Sequence, residues 1–200
     1  MNEFFLPDVP RETLDRLTLY HDTLVEWQSR INLIGKSDNI WERHFQDSAQ
    51  LTRLLKDKNA SLADFGTGGG FPGMVLAILG MTNVHLVESD TKKIIFLREV
   101  ARLTSTSVTI HHKRIEQLPP VLFDVVTSRA LTSLTELLSY ATPHLHANAF
   151  CLFPKGKNYL IELEEAKRTW SFDHEIMSSQ SGDGVILSIR KPHAKGRADG

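Results

Sequence analysis

The residues best able to do chemistry lie in one run, Asp64-Phe65-Gly66-Thr67-Gly68-Gly69-Gly70-Phe71-Pro72-Gly73, with Glu88 further along the chain. Glycines let a backbone take positive φ and come against a ligand with no Cβ between them, so the run reads as a cofactor loop joining a strand to a helix. Counted from Gly68, it satisfies the dinucleotide pattern GxGxxG, and Glu88 closes the next apolar run, where an acid can accept from ribose hydroxyls. Asp64 separates two cofactor classes. An acid just before the first glycine suits the amino-acid part of S-adenosylmethionine and would repel a pyrophosphate. The run is therefore read as an S-adenosylmethionine pocket built from Asp64, Gly66, Gly68 and Glu88. A nicotinamide-dinucleotide-binding oxidoreductase and a non-catalytic nucleotide-binding module are the alternatives. The plainer readings are a tight turn with no ligand and, for Glu88, an exposed carboxylate.

Other reactive groups are few. The single cysteine, Cys151, sits in the apolar run Ala149-Phe150-Cys151-Leu152-Phe153 and reads as a buried strand residue. Without CxxC pairs there is no thiolate framework, and no metal is expected. A formal net charge of −1 over 200 residues argues against coating nucleic acid through bulk charge. Any RNA contact must come from local patches such as Lys92-Lys93, His111 to Arg114, Lys155 with Lys157, or Arg190-Lys191 leading to Lys195 and Arg197, each of which also reads as a solvated face. Met74 to Leu79 is the longest apolar stretch and is too short to span a bilayer. The start, Met1-Asn2-Glu3-Phe4, lacks the order of a secretion signal, so a cytoplasmic protein without membrane attachment is expected.

These residues need elements to position them. Leu14, Leu17, Leu24, Trp27 and Ile31 recur at helical spacing, with Asp8 and Pro10 as a start signal. Trp41, Phe45, Ala49 and Leu54-Leu55 suggest a second helix running to about Lys56, after a connection through Lys36 and Ser37. From Ser61 the period changes. Strands are expected at Ser61–Phe65, Val84–Glu88, Val108–Ile110, Phe123–Thr127, Ala149–Phe153, His174–Met177 and Val185–Ile189, with helices at Pro72–Leu79, Thr91–Leu103, Ser133–Tyr140 and Tyr159–Lys167. This alternation predicts an α/β fold with a doubly wound sheet, mostly parallel. Ser178 to Gly184 reads as a hairpin loop that makes the last strand antiparallel. The expected division is an N-terminal helical segment (1–58) packed on the core, a core (59–191) and a flexible tail (192–200).

Six ordered blocks resemble the glucose-inhibited division protein B family of small-subunit ribosomal RNA guanine-N7 methyltransferases. They are Ile31-Asn32-Leu33, Arg43-His44-Phe45-Gln46-Asp47-Ser48, Asp64 to Gly73, Arg114-Ile115-Glu116, Ser128-Arg129-Ala130 and Lys155-Gly156. The resemblance implies a Rossmann-like class I methyltransferase core, S-adenosyl-L-methionine as cofactor, and methylation of one guanine of 16S rRNA; from the near-neutral charge a small-subunit particle is the expected substrate, and a monomer is expected. It implies that Gly66 and Phe71 line the cofactor pocket, Phe71 standing where relatives often have leucine, and that Ile115 and Glu116 flank the adenine. Arg129 should lie where cofactor and RNA meet. His44 and Asp47 should sit near the cofactor face, with His44 and Lys155 toward the RNA. Guanine N7 carries no proton at neutral pH, so this chemistry needs alignment rather than a general base. Thr127-Ser128-Arg129-Ala130 fits that reading. It offers neither the Asn/Asp-Pro-Pro-aromatic motif of exocyclic-amine methylation nor the cysteine that pyrimidine C5 methylation requires.

Overall fold

The computed structural model describes residues 9–35, 39–129, 131–180 and 182–196. Asp8, Lys36, Ser37, Ala130 and Arg197, which the sequence reading used, lie outside them. Among the described residues one sheet contains β1 (Leu62–Phe65), β2 (Val84–Glu88), β3 (Thr109–His112), β4 (Phe123–Thr127), β5 (Leu145–Lys155), β6 (Trp170–Ser178) and β7 (Val185–Ala194). Their order is β3-β2-β1-β4-β5-β7-β6. β1 to β5 pair in parallel, whereas β7 runs antiparallel to both β5 and β6. The expected sheet, with its antiparallel last strand, is therefore present.

The helices are α1 (Arg11–Gln28), α2 (Asp47–Ala49), α3 (Gly73–Ile78), α4 (Thr91–Leu103), α5 (Leu134–Ala141) and α6 (Tyr159–Thr169). Two apolar layers cover the sheet. Leu17, Tyr20 and Leu24 of α1 pack with Met74 and Leu76 of α3 and with Ile94, Phe96 and Leu97 of α4 on one face. Leu134, Leu137 and Leu138 of α5 and Leu163 of α6 fill the other. Side chains alternate across a strand, so β1 sends Leu62 into the first layer and Ala63 and Phe65 into the second. α4 begins where Asp90 accepts from the backbone N–H groups of Lys92 and Lys93 at 2.8 and 3.1 Å, a side-chain cap that fixes the helix start.

Two expectations are corrected. The second helix is not uniform: a π turn (Trp41–Gln46) leads through α2 into a 3₁₀ turn (Gln50–Leu54). The tail does not begin at Pro192, because β7 continues through Pro192 to Ala194 and pairs Ala194 with Trp170. Among the described residues no helix is long and apolar enough to cross a membrane.

Candidate active site

β1 is flanked by β2 on one side and β4 on the other, so the chain reverses its direction of travel across the sheet between them. Open α/β sheets gather ligands outside the carboxyl ends of the strands at such a point. The glycine loop leaves β1 there, Glu88 ends β2, and Arg129 follows β4. Together they border a cleft of about 1540 Å³. Its wall includes His44, Gly66, Gly68, Phe71, Glu88, Ile115, Glu116, Arg129 and Lys155, nearly the whole set that the sequence singled out.

The loop is built from inside. Gly66 and Gly68 have φ of +64° and +58°, a region that costs any residue with a Cβ. A Cβ on Gly68 would meet nothing nearer than the Leu33 carbonyl oxygen at 3.7 Å, an ordinary van der Waals contact, so the requirement for glycine there is the positive φ. The Gly68 N–H donates to Glu88 Oε2 at 3.0 Å, and Glu88 Oε1 accepts from the N–H groups of Ser89 and Asp90 at 2.7 and 2.8 Å. This fixes the carboxylate at the cleft wall while leaving it able to accept more bonds.

Asp64 departs from expectation. It is fully buried beneath the wall and does not border the cleft. Its Oδ2 accepts from Thr67 Oγ1 at 2.5 Å and from the Gly73 N–H at 2.8 Å, so it staples the two ends of the loop. Burial pushes its pKa up to about 7, and among the described residues its Oδ1 has no hydrogen-bond partner. Its role visible here is to shape the loop.

Arg129 is anchored on several sides. Its Nη1 donates to the Arg43 carbonyl at 2.6 Å, its Nη2 donates to His44 Nδ1, and Asp47 Oδ2 lies 3.7 Å from Nη1. The guanidinium stands 5.3 Å from the centre of the Phe71 ring. Burial pulls its pKa down, opposed chiefly by Asp47 and then by Asp64. His44 is buried as well. Desolvation first, then Arg129 and Arg43, lower its pKa to about 3, so the ring is neutral and its Nδ1 is an acceptor. Phe71 packs on Tyr20 and Phe45 and forms the floor beneath this group.

Lys155 lies on the cleft wall, but its ammonium is not offered to solvent. It donates to Glu162 Oε2 at 2.8 Å and to the Thr132 carbonyl at 3.0 Å, with only 5% of the side chain exposed. Ile115 is buried and Glu116 is exposed on the short turn Ile115–Gln117. Sequence reasoning missed Tyr20, whose hydroxyl donates to the Gly69 carbonyl, and Gln50, which binds Asp47. The i, i+3, i+7 spacing of Leu17, Tyr20 and Leu24 marks Tyr20 as a core residue but does not reveal its polar contact.

The family model for rRNA small subunit methyltransferase G matches residues 13–192. The chain belongs to that family. It is 49% identical over 193 residues to the ribosomal RNA small subunit methyltransferase G of Paramagnetospirillum magneticum, covering 95% of this chain and 94% of the relative. It is 48% identical over 196 residues to the protein of the same name from Rhodospirillum rubrum, covering 96% and 98%. Among solved structures, the ribosomal protein L11 methylase of Lactobacillus delbrueckii subsp. bulgaricus superposes with a TM-score of 0.63 at 20% identity, covering 76% of this chain and 79% of that one. A SAM-dependent methyltransferase from Aquifex aeolicus gives 0.60 at 12% identity, covering 76% and 93%. These likenesses fix the fold as that of the class I methyltransferases, and the family makes the protein a methyltransferase.

Proposed function

We propose that this enzyme transfers a methyl group from S-adenosyl-L-methionine to N7 of a guanine in 16S rRNA. The observation that carries the choice of cofactor is where the loop spends its backbone donors. The N–H groups of Thr67, Gly68, Gly70, Phe71 and Gly73 go to Val87, Glu88, Thr67, Thr67 and Asp64 respectively. A pyrophosphate needs such donors, at a helix start above all, and here the Gly73 N–H that opens α3 is bound to a carboxylate. An uncharged ribose facing Glu88 suits the same wall. The relatives, all named as methyltransferases, lend no support to the oxidoreductase alternative.

When bound, the cofactor would supply its methyl to the N7 lone pair, and the positive charge of the sulfonium would pass to the base, leaving a neutral thioether. Glu88 would accept from the ribose hydroxyls, and Ile115 and Glu116 would flank the adenine. No proton leaves N7, so no general base is required. Of the candidates for one, His44 has its Nδ1 engaged by Arg129 and Lys155 is paired with Glu162. Cys151, buried on β5 with its thiol pKa raised by burial, is not placed for pyrimidine C5 chemistry. The chain's contribution is then orientation by the fixed Arg129 guanidinium, with proximity worth up to roughly 7–11 kcal/mol in favourable cases. We further propose that it works in the cytoplasm as a monomer, on a small-subunit particle.

The test is tritiated methyl transfer to small-subunit particles from a strain lacking the enzyme, followed by nucleoside analysis. Wild type should yield 7-methylguanosine. Arg129→Ala should abolish most of the transfer while remaining folded, and Arg129→Lys should restore only part, because lysine lacks the planar fork. A different labelled nucleoside would overturn the chemistry, and full activity in Arg129→Ala would remove that residue from the site.

A further inference from the structure

Gln50 opens the 3₁₀ turn Gln50–Leu54, is buried, and forms no part of the cleft wall. Its amide nitrogen lies 2.7 Å from Asp47 Oδ1, 3.0 Å from the Asp47 carbonyl oxygen and 3.0 Å from Ser179 Oγ. Its Oε1 accepts from the Gln180 N–H at 2.9 Å, which fixes which end of the amide faces the carboxylate. Ser179 Oγ donates to the same Asp47 oxygen at 3.0 Å.

We propose that Gln50 is a positioning residue for methyl transfer, acting on Arg129 through Asp47. The proposal rests on the methyl-transfer reading above. The terminal torsion of an aspartate is broad and roughly two-fold, so a carboxylate held at one point can swing. Here two neutral donors hold Oδ1, and Oδ2 is turned toward the Arg129 guanidinium. Neutral donors fix the group without cancelling its charge. That matters because the other two anchors of Arg129, the Arg43 carbonyl and the neutral His44 ring, carry no charge. A largely buried cation needs a fixed counter-ion, and Asp47 is the carboxylate at ion-pair distance. Gln50 also joins this group to the end of β6, because Ser179 and Gln180 follow that strand directly and Ser179 borders the cleft. Gln50→Ala removes one of these clamps. Gln50→Glu places a second carboxylate against the first and should turn it away.

The experiment uses full-length wild type, Gln50→Ala, Gln50→Glu, Arg129→Ala and the Gln50→Ala/Arg129→Ala double variant, with small-subunit particles as substrate. Gln50→Ala should lower kcat about ten-fold, leave the KM for S-adenosylmethionine within about two-fold, and cause no further loss when Arg129 is already alanine. Gln50→Glu should be at least as impaired. In parallel, ¹⁵N spectra should show separate Nη resonances for Arg129 in wild type and averaged ones in Gln50→Ala, a readout that needs no reaction. Unchanged kcat and spectra, a loss that adds to that of Arg129→Ala, or a rise in KM alone would each overturn the proposal. If wild type transfers no methyl to the particles, the functional reading fails while the Nη spectra still decide the positioning claim.

Discussion

Glu88 has two jobs that a single substitution separates. Its carboxylate ties the loop, through the Gly68 N–H, to the Ser89 and Asp90 N–H groups after β2 and, in our reading, also receives the ribose. Hydrogen bonds to a charged acceptor contribute about 1.5–3 kcal/mol, so Glu88→Ala should weaken S-adenosylmethionine binding by at least ten-fold in isothermal titration. An unchanged affinity with a lower melting temperature would leave Glu88 a purely structural acid. His44 supplies a pH prediction. With a folded pKa of about 3, its ring should show no imidazole titration between pH 8 and 5 by NMR. The unfolded ring takes up a proton near the ordinary value of about 6.5, so its contribution to stability is full above that pH and declines as pH falls toward 3. Asp64 works in the opposite sense: its pKa is raised to about 7, so the folded state gains as pH falls from about 7 toward the ordinary carboxylate value. The difference in stability between wild type and His44→Asn across pH 8 to 5 isolates the histidine. A slope difference of zero, or a ring that titrates near 6.5, would contradict the buried, neutral acceptor.

At the scale of elements, α1 holds the glycine loop from behind. The Tyr20 hydroxyl donates to the Gly69 carbonyl, and its ring stacks on Phe71 at 5.3 Å with 14° between planes. Tyr20→Phe keeps the stack and orphans a buried carbonyl, a cost of about 1–3 kcal/mol. It should lower the urea midpoint and weaken cofactor binding, and loss of stability with intact affinity would show that the loop does not depend on α1. This link also explains what the sequence left hidden. The bounds of β2, β4 and α4 follow directly from hydrophobic period and caps, because those elements are dictated by which faces they bury. The π turn at Trp41–Gln46 has no such signature, since its apolar spacing reads as ordinary helix. Likewise the glycines, Glu88 and Arg129 stand out by type and position. The pairing of Lys155 and the contacts of Gln50 do not, because their partners Glu162 and Gln180 are chosen by the tertiary fold. Asp64 was legible as important but not as buried: its parity with Leu62 along β1 turns it into the layer beneath the cleft.

At the scale of the molecule, charge decides how the substrate is met. Around the cleft, Arg43, Lys93, Lys113, Arg114 and Lys157 are largely offset by Glu42, Glu116, Glu136 and Asp183, while Arg129 and Lys155 are engaged with Asp47 and Glu162. Added to a net charge of −1, this leaves no broad basic field to concentrate RNA on the surface. Phosphate contacts supply most non-specific affinity, and the five available cations correspond to a salt slope of only about −3.5 for single-stranded RNA. Shape and base contacts from a structured target must therefore provide the rest, and a folded particle presents them in fixed array whereas free RNA does not. Methyl transfer to small-subunit particles should accordingly exceed transfer to deproteinised 16S rRNA by a large factor at physiological salt. Raising the salt should depress transfer to the free RNA at least as steeply as transfer to the particle. Both substrates should be compared at equal RNA concentration by tritium incorporation over a series of salt concentrations. Equal efficiency on the two substrates would mean that this chain alone contains the whole recognition surface, and a slope much steeper than about −3.5 would mean that the basic residues beyond the cleft take part.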